Sequence, residues 1–201
     1  GGYALANNFG AAEASGATLV LMNSDVIPEG PGWLEPMVAR LQALPAYSLI
    51  GPKLIYADET LQHAGMYFYR MRSGNWQNFH YWKGYGADIE AAGMERSVPA
   101  VTGACLVVRR SDFLAVGGFT ADYVIGDYED SDLCLKMRQR GGAIHYIGST
   151  RLFHFERQSM PKDEGDTDRG STMYNRALHT ARWAGEIEMI MRNEKDLRHA
   201  G

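Results

Sequence analysis

Cysteine is scarce in this sequence. Cys105 and Cys134 are the only two, each lies inside an apolar run, and neither has partners at metal-ligand spacing. That excludes a disulfide-stapled secreted scaffold, and both thiols read as buried, reduced core residues of a cytosolic protein. Long hydrophobic runs are absent, so no segment reads as a membrane span, and the first residues lack the basic-then-apolar pattern of a signal peptide. Positive charge is not in excess: 20 Lys and Arg against 24 Asp and Glu leave a net charge of −4. Without a dense basic stripe, no nucleic-acid partner is expected. Internal repeats and low-complexity tracts are missing too. What remains is an ordinary globular composition, 45% hydrophobic and 22% charged over 201 residues, enough for one domain with a full core and an appendage.

The apolar pattern alternates between helix and strand. "ANNFGAAEASG" reads as a short helix closed by Gly16, and "ATLVLMNSD" as a strand whose continuous apolar run suits burial on both faces of a parallel sheet. In "GWLEPMVARLQALP", Leu34, Met37, Val38 and Leu41 recur at helical spacing, and "YSLIGPKLIY" reads as a second strand. This alternation predicts an α/β domain. From Asp58 to Pro99 the chain is rich in aromatics and glycine and reads as strand fragments and long loops. "VPAVTGACLVVRRSDF" reads as a further strand, "AIHYIGSTRLFHFE" as two short ones, and the chain from Ser171 as helix, with Met173, Ala177, Ala184, Ile187 and Met191 as candidate contacts. Residues 1–160 are assigned to the main domain and 161–201 to a helical extension.

Two stretches carry chemistry. "GDYEDSDLCLKMRQRGG" crowds Asp127, Glu129, Asp130 and Asp132 ahead of Lys136, Arg138 and Arg140, with Gly141 and Gly142 as a stop. Helix electrostatics explains one or two such acids, since carboxylates complement a helix N-terminus, but four exceed that need. "MNSDV" ends an apolar strand in Asn23, Ser24 and Asp25. In open α/β sheets ligands collect beyond the carboxyl ends of strands, although Asn, Ser and Asp also favour simple turns.

Taken in order, "NNFGAAEASGATLVLMNSDVIP", "LQHAGMYF", "VPAVTGACLVVRRSDFLAVGGF", "YEDSDLCLKMRQRGG" and "LFHFERQS" resemble the inverting glycosyltransferases of family 2, in particular the bacterial branch that builds O-antigen and other surface polysaccharides, often with rhamnose-type donors. The resemblance spans Gly1 to about Ser159. It implies a GT-A-like (Rossmann-like), mostly parallel sheet flanked by helices, a nucleotide-sugar donor, and a saccharide or lipid-linked saccharide acceptor. It implies a divalent cation, manganese or magnesium, held by Asp25 with His154 as a second ligand; Asn23 stands where many relatives carry another acid. Asp130 takes the place of the general base, with Glu129 and Asp132 raising its proton affinity by like-charge repulsion. Gly103 and Ala104 read either as a border for the donor sugar or as tight packing between strands, and Arg157 either as a reach to the diphosphate or as a solvated loop arginine. Trp76, Phe79, Tyr81 and Trp82 read either as an acceptor platform or as loop core.

Relatives of this kind begin with further β-α units that hold the nucleobase, whereas this sequence opens in the middle of that half. The expectation is a fragment that binds donor poorly by itself and associates into a homo-oligomer through an exposed sheet edge. A cytoplasmic location is expected, peripheral at the inner face of the membrane. A metal-dependent nucleotidyltransferase and a non-catalytic binding module, in which the acids only cap helices, remain the alternatives.

Overall fold

The computed structural model describes residues 2–155 and 167–199, with the side chains of 170–194 described in the second span. In chain order the elements are α1 (Tyr3–Glu13), β1 (Thr18–Met22), β2 (Val26–Pro28), α2 (Leu34–Ala43), β3 (Leu49–Ile55), β4 (Leu61–His63), β5 (Met66–Arg70) and β6 (Trp76–His80). They continue with α3 (Glu90–Gly93), β7 (Arg96–Ser97), β8 (Cys105–Arg109), α4 (Arg110–Ala115), α5 (Glu129–Gln139), β9 (Ile144–His154) and α6 (Thr167–His199).

The main sheet runs β1-β8-β3-β9-β2, with β4 added to β3 and β7 to β9, while β5 and β6 form a separate hairpin. All seven residues of β3 are buried, which its apolar sequence requires of a central strand covered on both faces. Side-chain alternation sorts the two layers. Ile50, Val107 and Ile147 pack with Met37 and Leu41 of α2 on one face. Leu49, Leu106, Val108 and Tyr146 face the main core with Phe113, Leu133 and Ile187 on the other. The α/β class and the GT-A-like arrangement of sheet and helices are present. Parallel pairing is narrower than expected: among the described strands only β3 and β9 run parallel, and the other partners are antiparallel. An apolar run reports that a strand is covered on two faces; it carries no information on direction, which the connections decide.

β9 is one strand of eleven residues, where the sequence suggested two. Its pairing with β3 slips between Pro52 and Lys53, so that Pro52 faces Ile147 and Lys53 faces Arg151. The extra residues form a bulge at Gly148, where an added Cβ would lie 2.5 Å from the carbonyl oxygen of Ala92. The strand therefore bends past α3 without ending.

α6 belongs to the main core, since Trp183, Ile187, Ile190 and Met191 are part of its buried cluster. Its inward face begins with polar residues: Asn175 and His179 are fully buried, while Met173 is 66% exposed. Counting apolar residues alone thus misjudged the first turns. The helix is anchored by Asp132 of α5, whose carboxylate accepts from Thr120 Oγ1 at 2.6 Å, Tyr123 OH at 3.0 Å and Trp183 Nε1 at 2.7 Å, with Lys136 Nζ at 3.5 Å. β1 and β2 terminate the sheet path. Leu5 and Phe9 of α1 and Met22 of β1 leave apolar surface exposed.

Asp132→Asn keeps the volume but places an amide among three donors that need an acceptor. It is expected to cost about 2–4 kcal/mol, a fall in midpoint of roughly 5–15 °C for a chain of this size. Thermal unfolding followed by circular dichroism measures it.

Candidate active site

Sheet register brings the two chemical stretches together. Antiparallel pairing sets Met22 opposite Cys105, so Asn23, just beyond β1, lies beside Ala104 and donates its amide to the Ala104 carbonyl at 2.9 Å. Pairing of Val26 with His154 sets Asp25 against the end of β9, and Phe155 N–H donates to the Asp25 carbonyl. The segment Val101–Ala104 then crosses the start of α5. There the Gly103 N–H donates to Asp130 Oδ2 at 3.0 Å, and Tyr3 OH donates to the Gly103 carbonyl at 2.6 Å. A Cβ on Gly103 would meet Tyr3 OH at 2.9 Å and Asp130 Cβ at 3.3 Å. A side chain at that crossing would displace the Tyr3 ring.

These contacts close a polar cleft of about 380 Å³. Of the residues singled out in the sequence, Asn23, Gly103, Ala104, Glu129, Asp130 and His154 line it. Asp25 stands at its margin through His154, whose Nε2 lies 3.3 Å from Asp25 Oδ1. Asp132 is elsewhere, fully engaged with α6 and the 120–123 turn. Arg157 lies outside the described residues. Trp76 is buried in the core, Tyr81 and Trp82 pack on the Arg96 guanidinium, and none of the four aromatics lines the cleft.

The acids differ sharply in electrostatics. Asp130 is recessed on the cleft floor, and desolvation pushes its carboxyl up to about 6 even though the amides of Gly103 and Ser131 donate to it; Asp127 supplies the like charge. Burial, reinforced by Asp130, pushes Glu129 to about 8. One Glu129 oxygen, Oε2, is buried without a hydrogen-bond partner. The cause is therefore corrected: loss of water at Asp130 dominates, and Asp132 is not among the leading causes of its shift. A Glu129 that keeps its proton at neutral pH also has little to offer a helix dipole, and no side chain caps α5.

Asp25 and His154 offer donors that suit a divalent cation. His154 Nδ1 lies 2.6 Å from Gln62 Oε1, so with Nδ1 donating, the Nε2 lone pair is aimed at Asp25 Oδ1. Two electron-rich atoms facing each other across such a gap, one held by an outer partner, match an imidazole–carboxylate ligand pair. Manganese accepts both donor types, magnesium chiefly the oxygens. Among the described residues no group of three or more His, Cys, Asp and Glu gathers for a metal, and Asp25 with His154 is the pair they offer.

Several lining residues escaped the sequence reading: Tyr3, Gln62, His80, Lys83, Thr172 and Arg176. Gln62 and His63 sit in the quoted "LQHAGMYF", but nothing local marks them as site residues. His63 is fully buried, and desolvation holds its pKa well below the usual value. Its Nε2 accepts the Gly65 N–H, which leaves the proton on Nδ1 to be donated to His80 Nδ1, 2.9 Å away. Thr172 and Arg176 come from α6, a helix whose polar first turns gave no apolar signal.

The family model for glycosyl transferase family 2 matches residues 1–117. A Sinorhizobium fredii protein named "Uncharacterized protein y4gI" is 33% identical over 157 residues, covering 78% of this chain and 17% of the relative. The O-antigen biosynthesis protein RfbC of Myxococcus xanthus is 29% identical over 165 residues, covering 80% of this chain and 12% of that protein. The chain thus spans less than a fifth of these relatives' length. The crystal structure of GalNAc-T7 with UDP, GalNAc and Mn2+ superposes with a TM-score of 0.68 at 19% identity, over 93% of this chain and 36% of that one. That likeness is one of fold and identifies the sheet and its helices as GT-A-like. The family match runs through β1, β3 and β8 into α4, the strands that frame the cleft, and the chain belongs to glycosyl transferase family 2.

Proposed function

We propose that this chain carries the transfer centre of an inverting, metal-assisted glycosyltransferase of bacterial surface-polysaccharide synthesis, one that moves a sugar from a nucleotide-diphosphate donor to a hydroxyl of a saccharide or lipid-linked saccharide. The observation that carries the reading is a single cleft with Asp130 on its floor and the Asp25–His154 pair at its margin. The name of the Myxococcus xanthus relative supports the polysaccharide setting. A nucleotide-sugar donor fits a cytoplasmic reaction, at the inner face of the membrane when the acceptor is lipid-linked. No helix among the described residues is long and apolar enough to cross a membrane.

Asp130 is the general base. The Gly103 and Ser131 amides fix its carboxylate, and its pKa of about 6 leaves it deprotonated yet basic at neutral pH. It takes the acceptor's proton as the hydroxyl oxygen attacks the anomeric carbon, and the donor diphosphate leaves from the opposite face, so the configuration inverts without a covalent sugar–enzyme intermediate. A divalent cation held by Asp25 and His154 supplies charge neutralisation for the departing diphosphate. Gln62 orients His154, and Asn23, Gly103 and Ala104 border the donor. Glu129, protonated, is a hydrogen-bond donor beside the base. Self-association through the open edge of β1, which carries the exposed Met22, is the matching partner proposal.

Asp130→Asn is expected to lower turnover about 10²- to 10⁴-fold with donor binding kept, whereas Asp25→Ala weakens metal-dependent donor binding roughly 10- to 100-fold. Steady-state kinetics and calorimetric titration with and without manganese separate the two, and retained turnover in Asp130→Asn moves the base elsewhere. Release of nucleoside diphosphate is expected; pyrophosphate indicates nucleotidyl transfer instead. Activity is expected to rise with pH through about 6, as Asp130 loses its proton. Stability follows the opposite trend, because folded Glu129 keeps its proton to about pH 8 and releases it from 4.5 upward when unfolded. The unfolded state binds fewer protons in that window, so stability falls as pH rises across it. Glu129→Gln should flatten that fall, read as midpoints at pH 5 and pH 8. Light scattering at micromolar concentration checks self-association, and a strictly monomeric mass removes it.

A further inference from the structure

The geometry points to Asn175 of α6 as a positioning residue for the catalytic acids: its buried amide clamps the 124–128 loop in the strained backbone that sets where α5 begins. This inference rests on the reading of Asp130 as the base.

The loop ahead of α5 is unusual in its backbone. Ile125, Asp127 and Tyr128 have φ of 66°, 71° and 75°. A β-branched residue in the left-handed region is a genuine outlier, because its Cβ crowds the backbone. Such conformations persist only where their surroundings over-determine them. Here a single side chain makes four hydrogen bonds to that loop. Asn175 is fully buried. Its Oδ1 accepts the Val124 N–H at 2.9 Å, and its Nδ2 donates to the carbonyls of Val124 at 3.0 Å, Gly126 at 2.6 Å and Asp127 at 3.4 Å. A side-chain amide has one acceptor and two donor hydrogens; all are used on this loop.

The same helix face completes the grip. Thr172 Oγ1 donates to Asp127 Oδ2 at 3.0 Å, and Arg176 Nε donates to Tyr128 OH at 3.1 Å. One and two turns beyond Asn175, buried His179 meets Ser131 Oγ and Trp183 meets Asp132, which fixes the register of α6 against α5. The Tyr128 carbonyl accepts from Asp132 N–H and opens α5, so the direction of the loop's last peptides decides where Glu129 and Asp130 point. Two of the cleft's residues, Asp127 and Tyr128, directly follow clamped carbonyls, and Glu129 and Asp130 come next. A helix outside the acidic motif thereby becomes part of the catalytic geometry.

Asn175→Ala is expected to speed exchange of the Val124 amide by about tenfold or more. It is expected to lower kcat roughly 10- to 100-fold, with donor KM within about twofold, because the loss is one of aim. Adding Ile125→Gly, which lets position 125 adopt its backbone without strain, should recover much of the kcat. A purely structural role for Asn175 predicts no such recovery. The downfield indole N–H resonance of Trp183 reports that α6 stays docked. If Asn175→Ala undocks it, Asn175→Asp takes its place: it keeps the acceptor for Val124 and loses the donors, so kcat should fall while Val124 stays protected. Unchanged kcat and exchange in a docked Asn175→Ala chain, or a failure of the added Ile125→Gly to restore kcat, overturns the proposal. Absence of nucleotide-sugar turnover by the wild-type chain bears on the functional reading alone, and exchange at Val124 still decides the clamp.

Discussion

The crossing of Gly103 over Asp130 is the contact on which the rest of the site depends. Three segments distant in sequence meet there: α1 through Tyr3, the approach to β8 through Gly103, and α5 through Asp130. The Tyr3 ring lies against Gly103 on one side and the Asp130 side chain on the other, so a carbon added at residue 103 would force Tyr3 to shift. It brings the acid to the end of the sheet where Asn23 and Ala104 already lie edge to edge. A charge-assisted hydrogen bond from a fixed amide aims an acid more firmly than a flexible side-chain partner does.

A cost accompanies that position. Removing Asp130 and Glu129 from water raises both proton affinities, and buried carboxyls with incomplete partners trade stability for reactivity. The expense is offset one turn along the helix. Asp132 is just as buried, but its oxygens take two hydroxyls and an indole N–H, and Lys136 is near. Neighbouring acids of one motif thus divide their work: Glu129 is held short of partners and Asp130 short of water beside the cleft, while Asp132 is saturated and binds α6 to the domain.

α6 links this electrostatic arrangement to the fold. Its apolar second half sits in the main core, and its polar first half faces the 124–128 loop. The β5–β6 hairpin leans on the same helix through Trp76 N–H to Thr180 Oγ1. The wall opposite the sheet therefore moves only if α6 does, which ties cleft geometry to the packing of Trp183 and Ile187 against the core.

Local chemistry made much of this legible in the sequence. Apolar patterning located α2, β1 and β3, because burial of one stripe or both faces leaves its mark on consecutive residues whatever the fold around them, and the order of charges ahead of a glycine stop marked α5. The resemblance to family 2 rested on short motifs whose residue types the chemistry demands, and it pointed to Asn23, Asp25, Asp130 and His154 before any contact was known. The direction of the strands was not legible, since an apolar run is the same read parallel or antiparallel. Nor was the division of labour between Asp130 and Asp132, which differ by two positions and by nothing else in the sequence. Gln62, Thr172, Asn175 and Arg176 were equally silent, because a polar residue reveals its partner only when the chain has folded back to bring it. The sequence determined which groups are present and which segments are buried; the tertiary structure alone decided which carboxylate loses its water, since desolvation depends on neighbours from distant parts of the chain.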